Sequence, residues 1–151
     1  MEVNRIVSTA RAWIGTPYHH QGSTKHAGTD CLGLVRGVYR ELYGHEPEQP
    51  PAYTFSWGDY DSRELMIEAA ARHLIVRVLA DGKQTLYNAE MLWKEGDVLL
   101  FRARANAVAK HCGIVTGRDS MVHSYSGFGV VETSIGIWGK RVAGLFSFPE
   151  T

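Results

Sequence analysis

The run Gly28-Thr29-Asp30-Cys31-Leu32-Gly33-Leu34-Val35 places a capping signal directly ahead of an amphipathic helix. Thr29 or Asp30 can accept the free backbone N–H groups of that helix start. Cys31, Leu34, Val35, Val38 and Leu42 fall on one stripe at helical spacing, and Gly44 closes it. Cys31 therefore stands at the positive end of a helix dipole, where a thiol gives up its proton more readily and becomes a better nucleophile. Downstream, His111 and His123 supply candidates for a base and for the residue that orients it. The same stripe also suits a buried thiol acting as a small hydrophobe, so the helix position alone does not decide the role.

Outward from this helix, Val3, Ile6, Val7, Ala10, Trp13 and Ile14 form an earlier helical stripe that stops at Gly15. A turn-rich stretch joins the two helices. His45 to Tyr60 reads as an irregular loop rich in proline and aromatic residues. Asp61 and Glu64 have capping-box spacing ahead of a third helix built on Leu65, Met66, Ala69 and Ala70. From residue 75 the pattern changes to short β-like runs, 75–79, 98–101, 111–117, 120–126, 129–133 and 142–148, divided by Gly, Asp and Ser. Helices first and antiparallel strands later predict an α+β fold, with N-terminal helices packed on a small antiparallel sheet. No repeat or linker interrupts it, and residues 1–151 read as one domain.

Sixteen basic and sixteen acidic residues cancel, and no Lys/Arg stripe is present, which argues against nucleic acid as a partner. No run is long enough for membrane insertion. The start Met1-Glu2-Val3-Asn4-Arg5 has no basic segment leading into an apolar core, so a chain made in the cytoplasm without a signal peptide is expected. Two cysteines do not make a disulfide scaffold. His111 and Cys112 are strand neighbours and point to opposite faces, so they cannot easily share a metal. Cys112 reads as a buried hydrophobe pointing away from His111, and no cofactor or metal is expected.

Four motifs follow in order: Gly15-Thr16-Pro17-Tyr18; Asp30-Cys31-Leu32-Gly33; Gly96-Asp97-Val98-Leu99-Leu100-Phe101; and His111-Cys112-Gly113-Ile114-Val115-Thr116-Gly117 leading to Met121-Val122-His123. Together they resemble the NlpC-type cell-wall peptidases, a papain-like group with a compact helix-plus-sheet domain. The resemblance implies Cys31 as nucleophile, His111 as general base and His123 as the residue that holds the base. It implies Tyr18 as an oxyanion donor beside the nucleophile. The family often has serine after the nucleophile, where this chain has Leu32.

The implied reaction is hydrolysis of an amide in the peptide stems of peptidoglycan, with the bond from D-glutamate to meso-diaminopimelate as the expected target. The version of the motif from Asp30 to Val38 looks closest to the peptidases of phage tails and gene transfer agents. Partners expected on that basis are peptide stems and phage-like tail hub or baseplate proteins, with His45 to Tyr60 as the docking surface. The expected site of action is a virion-like tail particle meeting the periplasmic wall. An amidase toxin of a contractile secretion system, or a structural tail-tip protein with little activity, are the alternatives. One geometric condition stays open. An odd loop between 111–117 and 120–126 puts His111 and His123 on one face of a hairpin, and an even loop separates them.

Overall fold

The computed structural model describes residues 1–50 and 63–150. The chain runs through α1 (Val3–Arg11), a small hairpin β1 (Ser23–Thr24) and β2 (Gly28–Thr29), α2 (Cys31–Tyr43) and α3 (Leu65–His73). It then forms β3 (Ile75–Leu79), β4 (Val98–Arg102), β5 (Ala109–Gly117), β6 (Ser120–Tyr125), β7 (Gly129–Ser134) and β8 (Val142–Ser147). The last six strands make one antiparallel sheet in the order β3-β8-β4-β5-β6-β7. This is the α+β class that the order of helical and alternating patterns predicts. Among the described residues no helix is long and apolar enough to cross a membrane.

Between the two capping candidates the structure selects Asp30. Its Oδ1 accepts from Gly33 N at 2.8 Å and its Oδ2 from Gln21 N at 2.9 Å. Thr29 Oγ1 instead donates to Gly22 O at 3.0 Å, tying the preceding hairpin to its own loop. At the other end Gly44 adopts φ 82° and its N–H returns to Arg40 O, a left-handed cap that favours glycine.

Two sequence expectations change. The first helix ends at Arg11, and turns carry the chain to Gly15, so Trp13 is buried but Ile14 is exposed. The expected capping box ahead of α3 does not form at Glu64, which makes no side-chain cap; Asp61 lies outside the described residues. The Glu64 carboxylate is taken by Arg102 and by Ala109 N at 2.9 Å. Arg102 is fully buried and also donates to Gln84 O, Ala107 O and Gly82 O at 2.8–2.9 Å. A buried guanidinium without such partners is strongly destabilising, so this demand outranks a helix cap. The docking surface expected at His45 to Tyr60 lies from residue 51 outside the described residues.

The sheet is covered on both faces, which is why all five residues of β4 are buried. Val98 and Leu100 join Ile114, Val122 and Phe146 under α1 and α2, against Ile6, Trp13, Leu34, Val38 and Leu42. Leu99 and Phe101 face the other way, with Val115, Met121, Ile135, Val142 and Leu145. Helix α2 also packs closely on α1. A Cβ on Gly37 would stand 2.2 Å from the indole of Trp13, whose Nε1 donates to Glu41 at 2.7 Å.

Replacing a mid-helix glycine with alanine ordinarily stabilises by about 1 kcal/mol. At Gly37 overpacking against a pinned indole opposes that gain, at about 1–3 kcal/mol for a well-filled core. We expect Gly37→Ala to lower the melting temperature by roughly 2–8 °C, read by circular dichroism. A rise would show that Trp13 has room to move.

Candidate active site

Strands β5 and β6 pair only from Ile114↔Val122 to the turn. Beyond that point the helix start of α2 connects to both strands. On one side Cys31 Sγ lies 3.7 Å from Lys110 O of β5. On the other, the Ser124 hydroxyl of β6 donates to Thr29 O at 2.7 Å. Cys31 is the first residue of α2, half-buried, with its backbone N–H among the unpaired donors of the helix start.

The two histidines meet because the hairpin is irregular. The connection between the strands is two residues, Arg118 and Asp119, an even loop that alone would put His111 and His123 on opposite faces. A bulge intervenes: Gly117 pairs with Ser120, but Val115 pairs with Met121, leaving Thr116 as the extra residue. The Thr116 and Ser120 hydroxyls bond at 2.9 Å across it. The shift sets His123 across from Gly113, whose notional Cβ would stand 3.3 Å from that of His123. Residues 113 and 111 share a face, and the imidazoles come together with His111 Nε2 2.8 Å from His123 Nδ1.

His123 is buried, and its far nitrogen, Nε2, lies 3.0 Å from Thr133 Oγ1 on β7. Burial first, and then the charge of His111, lower its pKa to about 4, so it is neutral at neutral pH. His111 is half-buried among aromatic rings, with Trp138 at 4.8 Å, Tyr125 at 5.7 Å and Phe101 at 5.9 Å between centroids. Tyr18 forms a bridge with Thr29. Burial above all, with the negative charges of Asp30 and Cys31, raises its pKa to about 12 and keeps its hydroxyl a donor.

Cys112 is the buried residue facing away from His111 that the sequence reading expects, with a contact added that the reading lacks. It is buried and does project to the face opposite His111, yet that face carries the helix start. Its Sγ lies 3.3 Å from Cys31 O and within hydrogen-bond reach of the Cys31 side chain, and its single proton goes to the sulfur when Cys31 is ionised. That bond is the largest influence lowering the Cys31 pKa; burial opposes it, His111 lowers it further by hydrogen bond and charge, and Asp30 opposes. Cys112 moves the other way, because the Cys31 bond and burial hold its proton in place. One thiol is thus poised to ionise and its neighbour to stay protonated.

The four residues singled out in the sequence, Tyr18, Cys31, His111 and His123, therefore converge. Cys112, Trp138 and Thr133 were not among them. Cys112 had a visible signal in its place beside His111, misread as packing alone. Thr133 and Trp138 had none, since only strand register and a short turn after β7 bring them near. Leu32, which replaces the common serine, packs against the core as a partly buried hydrophobe. No group of three or more metal-ligating side chains occurs among the described residues.

With a lowered pKa, Cys31 remains a reactive thiolate as pH falls through neutrality, where a free thiol with pKa about 8.5 is mostly protonated. We expect its rate of alkylation by iodoacetamide to show a midpoint well below that of a free thiol. Cys112→Ala and His111→Ala should each move the midpoint upward. An unmoved midpoint in Cys112→Ala would remove the second thiol from this account.

The NlpC/P60 family model matches residues 15–146. The chain is similar to murein DD-endopeptidase MepS/murein LD-carboxypeptidase of Escherichia coli K12, with 28% identity over 140 residues, 91% of this chain. It spans 58% of the length of that relative. Among solved structures it resembles the NlpC/p60 domain of peptidoglycan hydrolase SagA, with TM-score 0.61 and 21% identity, over 98% of this chain and 100% of that one. It likewise resembles the P60 domain of an antigen from M. avium subspecies paratuberculosis, with TM-score 0.58 and 16% identity, over 99% and 96% of the two chains. With its helix-borne thiol and its match to the family model over residues 15–146, the chain belongs to the NlpC/P60 family.

Proposed function

We propose that this protein is a cysteine peptidase that hydrolyses amide bonds in the peptide stems of peptidoglycan. The observation that carries the reading is the 2.8 Å contact of His111 with His123 beside a thiol held at a helix start. Family membership and the murein endopeptidase relative point to the same substrate class.

In this mechanism the Cys31 thiolate attacks the amide carbonyl carbon, and the C=O electron pair moves onto oxygen. The Cys31 backbone N–H and the Tyr18 hydroxyl are the donors for that oxyanion, each such donor contributing on the order of 3 kcal/mol. As the C–N bond breaks, the His111 imidazolium gives its proton to the departing amine and leaves a thioester on Cys31. Neutral His111 then takes a proton from water, whose oxygen attacks the thioester. Release of the carboxyl product returns the thiolate and the imidazolium. His123 takes no proton and holds the plane of the His111 ring.

The family resemblance points to the D-glutamyl–diaminopimelate bond, while the E. coli relative is named for DD-endopeptidase and LD-carboxypeptidase activities. Digestion of purified peptidoglycan with mass spectrometry of the fragments separates these products. We expect Cys31→Ala to fall to background and His111→Ala to lose roughly 100- to 10,000-fold, the range for a general acid–base. His123→Gln should keep partial activity, because an amide can still bond the imidazole, and His123→Ala should fall between. Full activity in Cys31→Ala would overturn the mechanism.

The carrier we propose is a phage-type tail or gene transfer agent particle, supported by the likeness of residues 30–38 to such peptidases. Particles purified from producing cells should contain this chain by mass spectrometry. Its presence only as free monomer would exclude that carrier.

A further inference from the structure

His123 is held from two sides, and the contact with His111 determines where its proton sits. A neutral imidazole has one N–H and one lone pair, so one of its nitrogens donates and the other accepts. Nδ1 faces His111 Nε2 at 2.8 Å, and Nε2 faces Thr133 Oγ1 at 3.0 Å. Paired with a thiolate, His111 is an imidazolium whose Nε2–H can only donate. His123 Nδ1 must then accept, which leaves its single proton on Nε2, directed at Thr133. The opposite tautomer would set two N–H groups against each other in a buried site.

We propose that Thr133 is a fourth member of the relay, a positioning residue that accepts from His123 Nε2–H and so holds the ring in the orientation that His111 requires. The proposal rests on the catalytic reading above. Strand register delivers the residue: on β6 and β7 Met121 pairs with Thr133 and His123 with Val131, so Thr133 is the diagonal same-face neighbour of His123. Strand β7 is the edge of the sheet and Thr133 is exposed. Its hydroxyl can accept from the imidazole while turning its own hydrogen to water. A β-branched residue is also stiff about χ1, which keeps Oγ1 in place without further partners. The same side-chain shape without an oxygen, valine, would hold the strand equally well and leave the Nε2 proton without its acceptor.

The test uses the full chain, labelled with 15N-histidine, and long-range 1H–15N correlation to read the His123 tautomer. Hydrolysis of a synthetic stem peptide is measured in parallel. Wild type and Thr133→Ser should both show His123 protonated at Nε2 alone. Thr133→Val should keep that tautomer but show faster exchange of the Nε2 proton with solvent and a kcat lower by roughly 2- to 10-fold, the scale of one hydrogen bond, with KM unchanged. Thr133→Ala serves as a second deletion of the hydroxyl if the valine protein melts differently from wild type. Protonation at Nδ1 in wild type, unchanged Nε2 proton exchange and kcat in both deletions, or no recovery in Thr133→Ser would each overturn the proposal. Failure of wild type to cleave any stem would instead strike the functional reading, since the tautomer is read without substrate.

Discussion

The parting of β5 and β6 is the constraint on which the site depends. Had the strands stayed paired past Ile114 and Val122, their backbone bonds would have closed the gap. Instead Cys31 Sγ lies against the Lys110 carbonyl, and the Ser124 hydroxyl donates to Thr29 O just ahead of α2. The consequence is chemical. A helix packed on one face of the sheet presents its first side chain where it meets imidazoles that belong to the other face.

That arrangement explains how neighbouring strand residues serve one thiol. His111 and Cys112 point to opposite faces of β5, as period-two geometry requires. At the parting, Cys31 interacts with both. The imidazole supplies charge and a hydrogen bond, and the second thiol supplies another hydrogen bond. The aromatic rings of Trp138, Tyr125 and Phe101 confine the His111 plane. Upstream of His111, the buried Arg102–Glu64 pair ties Ala109 N to the beginning of α3, which steadies the strand that carries this imidazole.

Much of this was legible in residue order, because each signal was local. The helix of Cys31 announced itself through its cap, its apolar stripe and Gly44, and the strand runs through alternation. What escaped the sequence depended on register. A bulge at Thr116 is one extra residue in a strand, and nothing in Val115-Thr116-Gly117 says which residue will be left unpaired. Yet that residue determines whether His111 and His123 share a face. Thr133 is invisible for the same reason, being ten residues from His123 in sequence and its diagonal neighbour across two strands. Glu64 looked like a cap because its spacing was right, but the competing claim came from Arg102, 38 residues away.

The charge arrangement follows from the same parts. The charge of the Asp30 carboxylate opposes ionisation of the thiol. It cannot be dispensed with, because it caps the helix and fastens the preceding loop through Gln21. Both of its oxygens accept from backbone N–H groups, which spreads its charge into the peptide units. The thiolate is then stabilised by the Cys112 thiol, His111 and the helix dipole together. A neutral third residue suits that balance. A buried carboxylate at position 123 would attract the His111 proton away from the amine that must receive it and add a second negative charge near the thiolate. In the proposed mechanism neutral His123 orients the ring without drawing on its charge, and a neutral imidazole can do this only with its proton on the side away from His111.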